Sequence, residues 1–228
     1  MTNEDKISRL AGALYLAVVV TGFFSLIYVP SQTAVSGDPQ ATVNNIAAHS
    51  PLFRAGIAAF LVKQVAFLIL PLVLFKLLRL VHQGMAALMV AFAVVSVPIA
   101  LVSLTNKLEV LDIVGGPGGQ ALALDQLQSR VMLSLGAYEN GLMVTTLFWG
   151  LWLLPFGYLV MRSGFLPKIL GIFLLLGGLG YVIHVFWQIL LPKTSFPDYA
   201  LLPAAVGEIG ICLWLLVMGV RGRQSTTS

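Results

Sequence analysis

The sequence predicts an all-α protein: one domain, residues 1–228, folded as a polytopic bundle of six transmembrane helices with both termini in the cytoplasm. Three observations predict it. Six long apolar stretches alternate with short polar breaks. Charged residues make up only 10% of the chain, against about 25% in a soluble domain, and the mean hydropathy is +0.94. Six spans of about 20 residues each would use over half of the 228 residues. Only loops are then left outside the bilayer, and membrane lipid is the main partner.

The first span covers about residues 9–29. Lys6 and Arg9 before it imitate a signal peptide, but the apolar core is too long and no small-residue cleavage site follows, so it reads as a retained helix. Pro30–Pro51 is polar and rich in turn chemistry (Ser31, Gly37, Asp38, Pro39), with room for a short helix over 41–48. The second span, about 53–80, carries Pro71, and His82-Gln83-Gly84 makes a tight connection to the third, about 85–104, which Pro98 interrupts. The longest break then runs over Thr105–Arg130, with Gly115-Gly116-Pro117-Gly118-Gly119 as a loop and Ala121–Arg130 as a helical lead into the fourth span, about 131–161. Arg162-Ser163-Gly164 turns the chain into the fifth span, 167–191, and the sixth covers about 201–220 before a polar tail, 221–228.

Orientation follows from Lys and Arg in the short flanks. One side collects Lys6, Arg9, Lys76, Arg79, Arg162, Lys168, Arg221 and Arg223. The other collects Arg54, Lys107, Arg130 and Lys193, diluted by Asp38, Glu109, Asp112, Asp125 and Asp198. The richer side is assigned to the cytoplasm. The net charge of +4 is therefore explained by topology, and no nucleic-acid partner is expected.

Ionisable residues inside apolar spans are costly, from about 2.5 kcal/mol on insertion scales upward, and mark functional sites. Here they are Lys63, Glu139, His184 and Glu208. At the 1.5 Å helical rise, Lys63 and Glu208 each lie roughly 20 Å from the cytoplasmic markers Lys76 and Arg221. His184 lies about 24 Å from Lys168, with Gln188 one turn farther on the same face. Glu139 and Asn140 reach the outer interface, as do Asn106 and Lys107. The polar residues thus gather in the outer half, which predicts an outward-facing pocket bordered by Lys63, Glu139, His184, Gln188 and Glu208. Glu208 and Glu139 are the candidate catalytic acid–base groups. Lys63, His184, Gln188 and Asn140 are candidate substrate contacts, with Trp149 and Trp152 as its greasy wall. Matched depth also makes Lys63 and Glu208 a candidate ion pair. The same groups could serve packing alone, since a buried pair fixes helix contacts and Glu208 sits among small residues that let helices approach.

Other chemistries find no support. His49, His82 and His184 are too scattered for a metal site, no phosphate-binding Walker sequence occurs, and the glycine run at Gly115–Gly119 has no strand before it. No catalytic Ser/His/Asp elbow, voltage sensor or selectivity filter is visible, and no cofactor is implied. Cys212 is the lone cysteine, so no intrachain disulfide can form.

Several segments carry a resemblance. They are Arg162-Ser163-Gly164-Phe165-Leu166-Pro167-Lys168-Ile169-Leu170-Gly171 followed by Gly178-Leu179-Gly180-Tyr181, and Leu202-Pro203-Ala204-Ala205-Val206-Gly207-Glu208 followed by Leu213-Trp214-Leu215-Leu216. Arg9-Leu10-Ala11-Gly12-Ala13-Leu14-Tyr15 and Leu52-Phe53-Arg54-Ala55-Gly56-Ile57 join them. Together these resemble domain-of-unknown-function family 4386 over nearly the whole chain. The resemblance implies a six-helix protein of the bacterial inner membrane and no established activity. Glu208 falls on a glutamate of the family pattern and Arg54 on its arginine. Aspartates frequent in the second and fifth helices of relatives are replaced here by Phe60, Phe67 and His184, while Lys63 is added. Three functions stay open from sequence: binding or transformation of a small lipophilic molecule by acid–base chemistry, a structural or accessory subunit, and transport of a proton, ion or small solute.

Overall fold

The computed structural model describes residues 3–220 and is all-helical among them. Helix α1 runs Asn3–Thr33, with a π-helical turn at Phe24–Tyr28. Then come α2 (Pro39–Ala48), α3 (Ser50–Leu78), α4 (Gln83–Gly115), α5 (Leu124–Ser163), α6 (Lys168–Leu190) and α7 (Leu202–Val217). A 3-10 turn, Asp198–Leu201, leads into α7. Six helical segments are long and apolar enough to cross a membrane: α1, α3, α4, α5, α6, and α7 together with the 3-10 turn before it, Tyr199–Val217. Large apolar side chains point outward along them: Val20, Val65, Val102, Ile183 and Val217 are each more than half exposed. In water so much exposed apolar surface would be a liability; against lipid it is the expected outer face. The chain is an integral membrane protein.

The connections are built from local capping chemistry. The Asp38 carboxylate accepts the Ala41 amide at 2.9 Å and Pro39 opens α2, so an orphan helix N–H is satisfied where proline has none to lose. The His82 ring accepts the Met85 amide at 3.1 Å, which turns α3 into α4. Between α5 and α6 the Ser163 hydroxyl accepts the Leu166 amide at 3.1 Å, and Gly164 takes a positive φ of 75°.

The longest break expected from sequence is much shorter in the structure. α4 continues to Gly115 and α5 begins at Leu124, so Asn106, Lys107, Glu109 and Arg130 are helical. Between and beyond those polar residues, Val110 and Ile113 keep helical spacing and are buried. Their burial outweighs the polar interruption. Pro71, Pro98 and Pro155 all lie within helices. Arg221, Arg223 and the tail 221–228 lie outside the described residues.

Two compact units organise the chain. The first groups the described residues of Met1–Leu16, Ala66–Val97 and Val144–Ser228; the second groups Ala17–Val65 and Pro98–Met143. The first unit is centred on Trp152, which stacks on Phe156 at 5.2 Å and meets Phe67 edge-on at 5.1 Å. Its helices close on glycine. A β-carbon at Gly150 would lie 2.8 Å from the Gly178 carbonyl oxygen, and one at Gly157 would lie 2.7 Å from that of Gly171. Both α5 and α6 thus place a glycine every seventh residue on their shared seam, in antiparallel register. A second seam on α6 sets Gly177 against Ala204 and Leu174 against Gly207 of α7. Small residues are what bring membrane helices this close.

The second unit has its own core, with Val29, Ile46, Phe53, Phe60, Leu104, Val110, Val131 and Tyr138 among its buried residues. There Gly56 of α3 receives Val29 of α1, and Gly141 of α5 receives Ser103 of α4.

Candidate functional site

The candidate residues divide between the two units. The first holds Glu208, His184, Gln188, Trp149 and Trp152; the second holds Lys63, Glu139 and Asn140. The outer pocket and the Lys63–Glu208 pair expected from depth draw on both sets.

In the first unit Glu208 follows Gly207 on α7, is half-buried, and acts electrostatically on the hydroxyls of Tyr15 and Tyr181. Tyr15 is buried, and its Oη has no hydrogen-bond partner. The lone thiol lies nearby in sequence: Cys212, one turn along α7, donates to the Gly12 carbonyl at 3.7 Å. His184 and Gln188 line an open cleft of about 390 Å³ with Pro192, Thr194, Ser195 and Phe196. The His184 ring meets Phe196 edge-on at 4.9 Å. The i, i+4 spacing read from sequence therefore does put these two polar groups on one face, in a shared recess. Trp152 is fully buried among aromatic rings, while Trp149 is half-buried.

In the second unit Lys63 is 6% exposed, and its ammonium lies 5.5 Å from the centroid of the Phe60 ring. Gly22 of α1 makes room for its stem: a β-carbon there would stand 3.3 Å from Lys63 Cε. Glu139 and Asn140 are exposed. Glu139 acts electrostatically on Lys107 and Tyr138. Toward the end of the same helix pair, Arg130 donates to Glu109 at 3.1 Å and 3.2 Å, and the Ser134 hydroxyl donates to the other Glu109 oxygen at 3.0 Å.

Two residues join this group that were not among the candidate site residues. Gln64, next to Lys63 and at the midpoint of α3, is 0% exposed, and neither its amide nitrogen nor its oxygen has a hydrogen-bond partner among the described residues. A buried polar group without a partner is rare and calls for an explanation such as an absent water or ligand. The signal was present in sequence, as a carboxamide amid an apolar run, but attention to charge passes it over. Lys107, read from sequence as reaching the outer interface, is 7% exposed and lies among aromatic rings. Among the described residues, no group of three or more His, Cys, Asp and Glu side chains converges as metal ligands would.

A family model described as a domain of unknown function (DUF4386) matches residues 10–219. An uncharacterised protein of Archaeoglobus fulgidus is 31% identical over 88 residues, which cover 37% of this chain and 50% of that protein. The chain thus matches about half the length of this curated relative. No solved structure matches.

Proposed function

The chain belongs to the family described as a domain of unknown function (DUF4386), and we propose that it binds a small lipophilic molecule within the bilayer and handles the molecule's polar end by acid–base chemistry. The membrane is the bacterial cytoplasmic membrane, with both termini inside. Glu208 in one unit and Glu139 in the other are the groups able to exchange protons. His184 and Gln188 offer polar contacts in their cleft.

The observation that carries this reading is Gln64. An unpaired buried donor or acceptor costs about 1–3 kcal/mol, and Gln64 leaves one of each at the middle of a spanning helix. A bound group presenting both a donor and an acceptor, such as a carboxylic acid, an amide or an alcohol, would satisfy it. Apolar walls with a few placed polar groups are the usual make-up of a small-molecule site.

The test is mass spectrometry of molecules retained by gently extracted protein. Wild type should carry a small lipophilic species at about one per chain, and Gln64→Leu should lose it. If neither protein retains such a species, the binding reading fails. A structural reading then takes its place, favoured by the tight α6–α7 seam at Gly207 beside Glu208.

A further inference from the structure

Independently of Gln64, we propose that Lys107 and Tyr138 form a site for an oxyanion, a carboxylate or phosphate carried by an amphiphile. Both residues are nearly sealed, at 7% and 5% exposed. The Lys107 ammonium lies 4.2 Å from the centroid of the Tyr138 ring and 5.7 Å from that of Phe53. Ring faces attract a cation, but they accept none of its three N–H bonds in the way an oxygen does. Among the described residues, neither a hydrogen bond nor a salt bridge to Lys107 is formed. Glu139 is the charged neighbour that acts on it, electrostatically and from an exposed position. The Tyr138 hydroxyl is buried without a partner too. A cation and a phenol O–H, both short of an acceptor and both set in aromatic surface, complement an anionic oxygen on an apolar body.

The same two helices carry a recess at the surface. An open groove of about 620 Å³ is lined by Asn106 and Glu109 of α4 and by Arg130, Ser134 and Ala137 of α5, among others. Lys107 and Tyr138 do not line this groove; they lie on the same two helices, buried beside it in sequence. The groove sets polar side chains in a mostly apolar surface: Leu133 is among its lining residues, and with the exposed Leu108 nearby on α4 it suits an acyl tail.

The experiment titrates the full chain in detergent with four probes and follows thermal unfolding. The probes are oleate, its neutral counterpart oleyl alcohol, phosphatidylglycerol and inorganic phosphate. Oleate or phosphatidylglycerol should raise the apparent melting temperature of wild type by several degrees, and oleyl alcohol should not. Lys107→Met should abolish the shift, Lys107→Arg should keep most of it, and Tyr138→Phe should weaken apparent affinity by about three- to tenfold. A shift with inorganic phosphate that also vanishes in Lys107→Met would assign the oxyanion to a soluble source and keep the site. The proposal is overturned if no anion shifts wild type, or if Lys107→Met responds as wild type does, for then the lysine is only a packed cation. Should Lys107→Met fail to fold, the comparison of Tyr138→Phe with wild type decides: unchanged oleate affinity rejects the site.

Discussion

Replacing Gly178 by alanine is the sharpest test of how the first unit is built. The new β-carbon would stand 2.8 Å from the Gly150 carbonyl oxygen, 2.9 Å from Leu154 Cδ2 and 3.1 Å from Leu153 Cβ. The Leu154 methyl can rotate away; a carbonyl oxygen in the facing helix backbone cannot. Helices α5 and α6 must therefore separate along their seam, which also loosens the Gly157–Gly171 contact one repeat away. Overpacking of this kind costs about 1–3 kcal/mol, enough to overcome the gain of about 1 kcal/mol that alanine brings to a helix interior. Gly136→Ala is the control, because nothing lies within 4 Å of a β-carbon there. It should be neutral or stabilising by up to about 1 kcal/mol. Since both variants share the propensity gain, they should differ by the overpacking cost, about 1–3 kcal/mol, or roughly 2–12 °C in apparent melting temperature for a chain of this size. Thermal scans of tryptophan fluorescence in one detergent at one scan rate measure the gap, since unfolding that is not reversible makes the midpoint rate-dependent. If Gly178→Ala melts at or above Gly136→Ala, the glycine seam does not set the helix spacing and the reasoning is wrong.

Two further outcomes follow from the packing. Trp152→Ala, which empties the centre of the first unit, should cost about 3–5 kcal/mol and be seen as a large loss of folded protein on size-exclusion after heating. Arg130→Gln should cost no more than about 1 kcal/mol despite its contacts with Glu109, because exposed ion pairs contribute little; a melting shift comparable to that of Trp152→Ala would contradict this.

The spans were legible because lipid imposes a single rule: every backbone polar group must be satisfied within the segment, so long apolar runs become helices. Their ends were less legible. α4 passes through Thr105, Asn106, Lys107 and Glu109 because the helix buries Val110 and Ile113 on one face and covers Lys107 with Tyr138 and Phe53. Those aromatic residues come from α5 and α3, and tertiary cover of that sort leaves no trace in a local window. At the candidate site, the one pairing made by helical periodicity within a single span, His184 with Gln188, appears as a shared recess. Gln64 and the seven-residue glycine repeat of α5 and α6 were also written in the chain. Their meaning depends on what faces them, and that only the folded helices supply.

The binding and structural readings can be separated by how the effect of one substitution depends on bound lipophile. Glu208 is engaged with two tyrosines, so a loss of stability on removing it fits either reading. Gln64 differs, because nothing among the described residues answers its amide. In protein stripped of bound lipophile, Gln64→Leu removes an unsatisfied donor and acceptor and should stabilise, by about 1–3 kcal/mol for each group relieved. In protein that holds its ligand, the wild type gains RT ln(1 + [L]/Kd), about 2.7 kcal/mol when the free ligand is 100 times Kd, and the variant forgoes it. The gain from the substitution should therefore be smaller in native lipid extract than after exhaustive delipidation, by about 2.7 kcal/mol at 100 times Kd. A residue kept only for packing would give the same change under both conditions. An equal change in the two preparations would reject a ligand at Gln64.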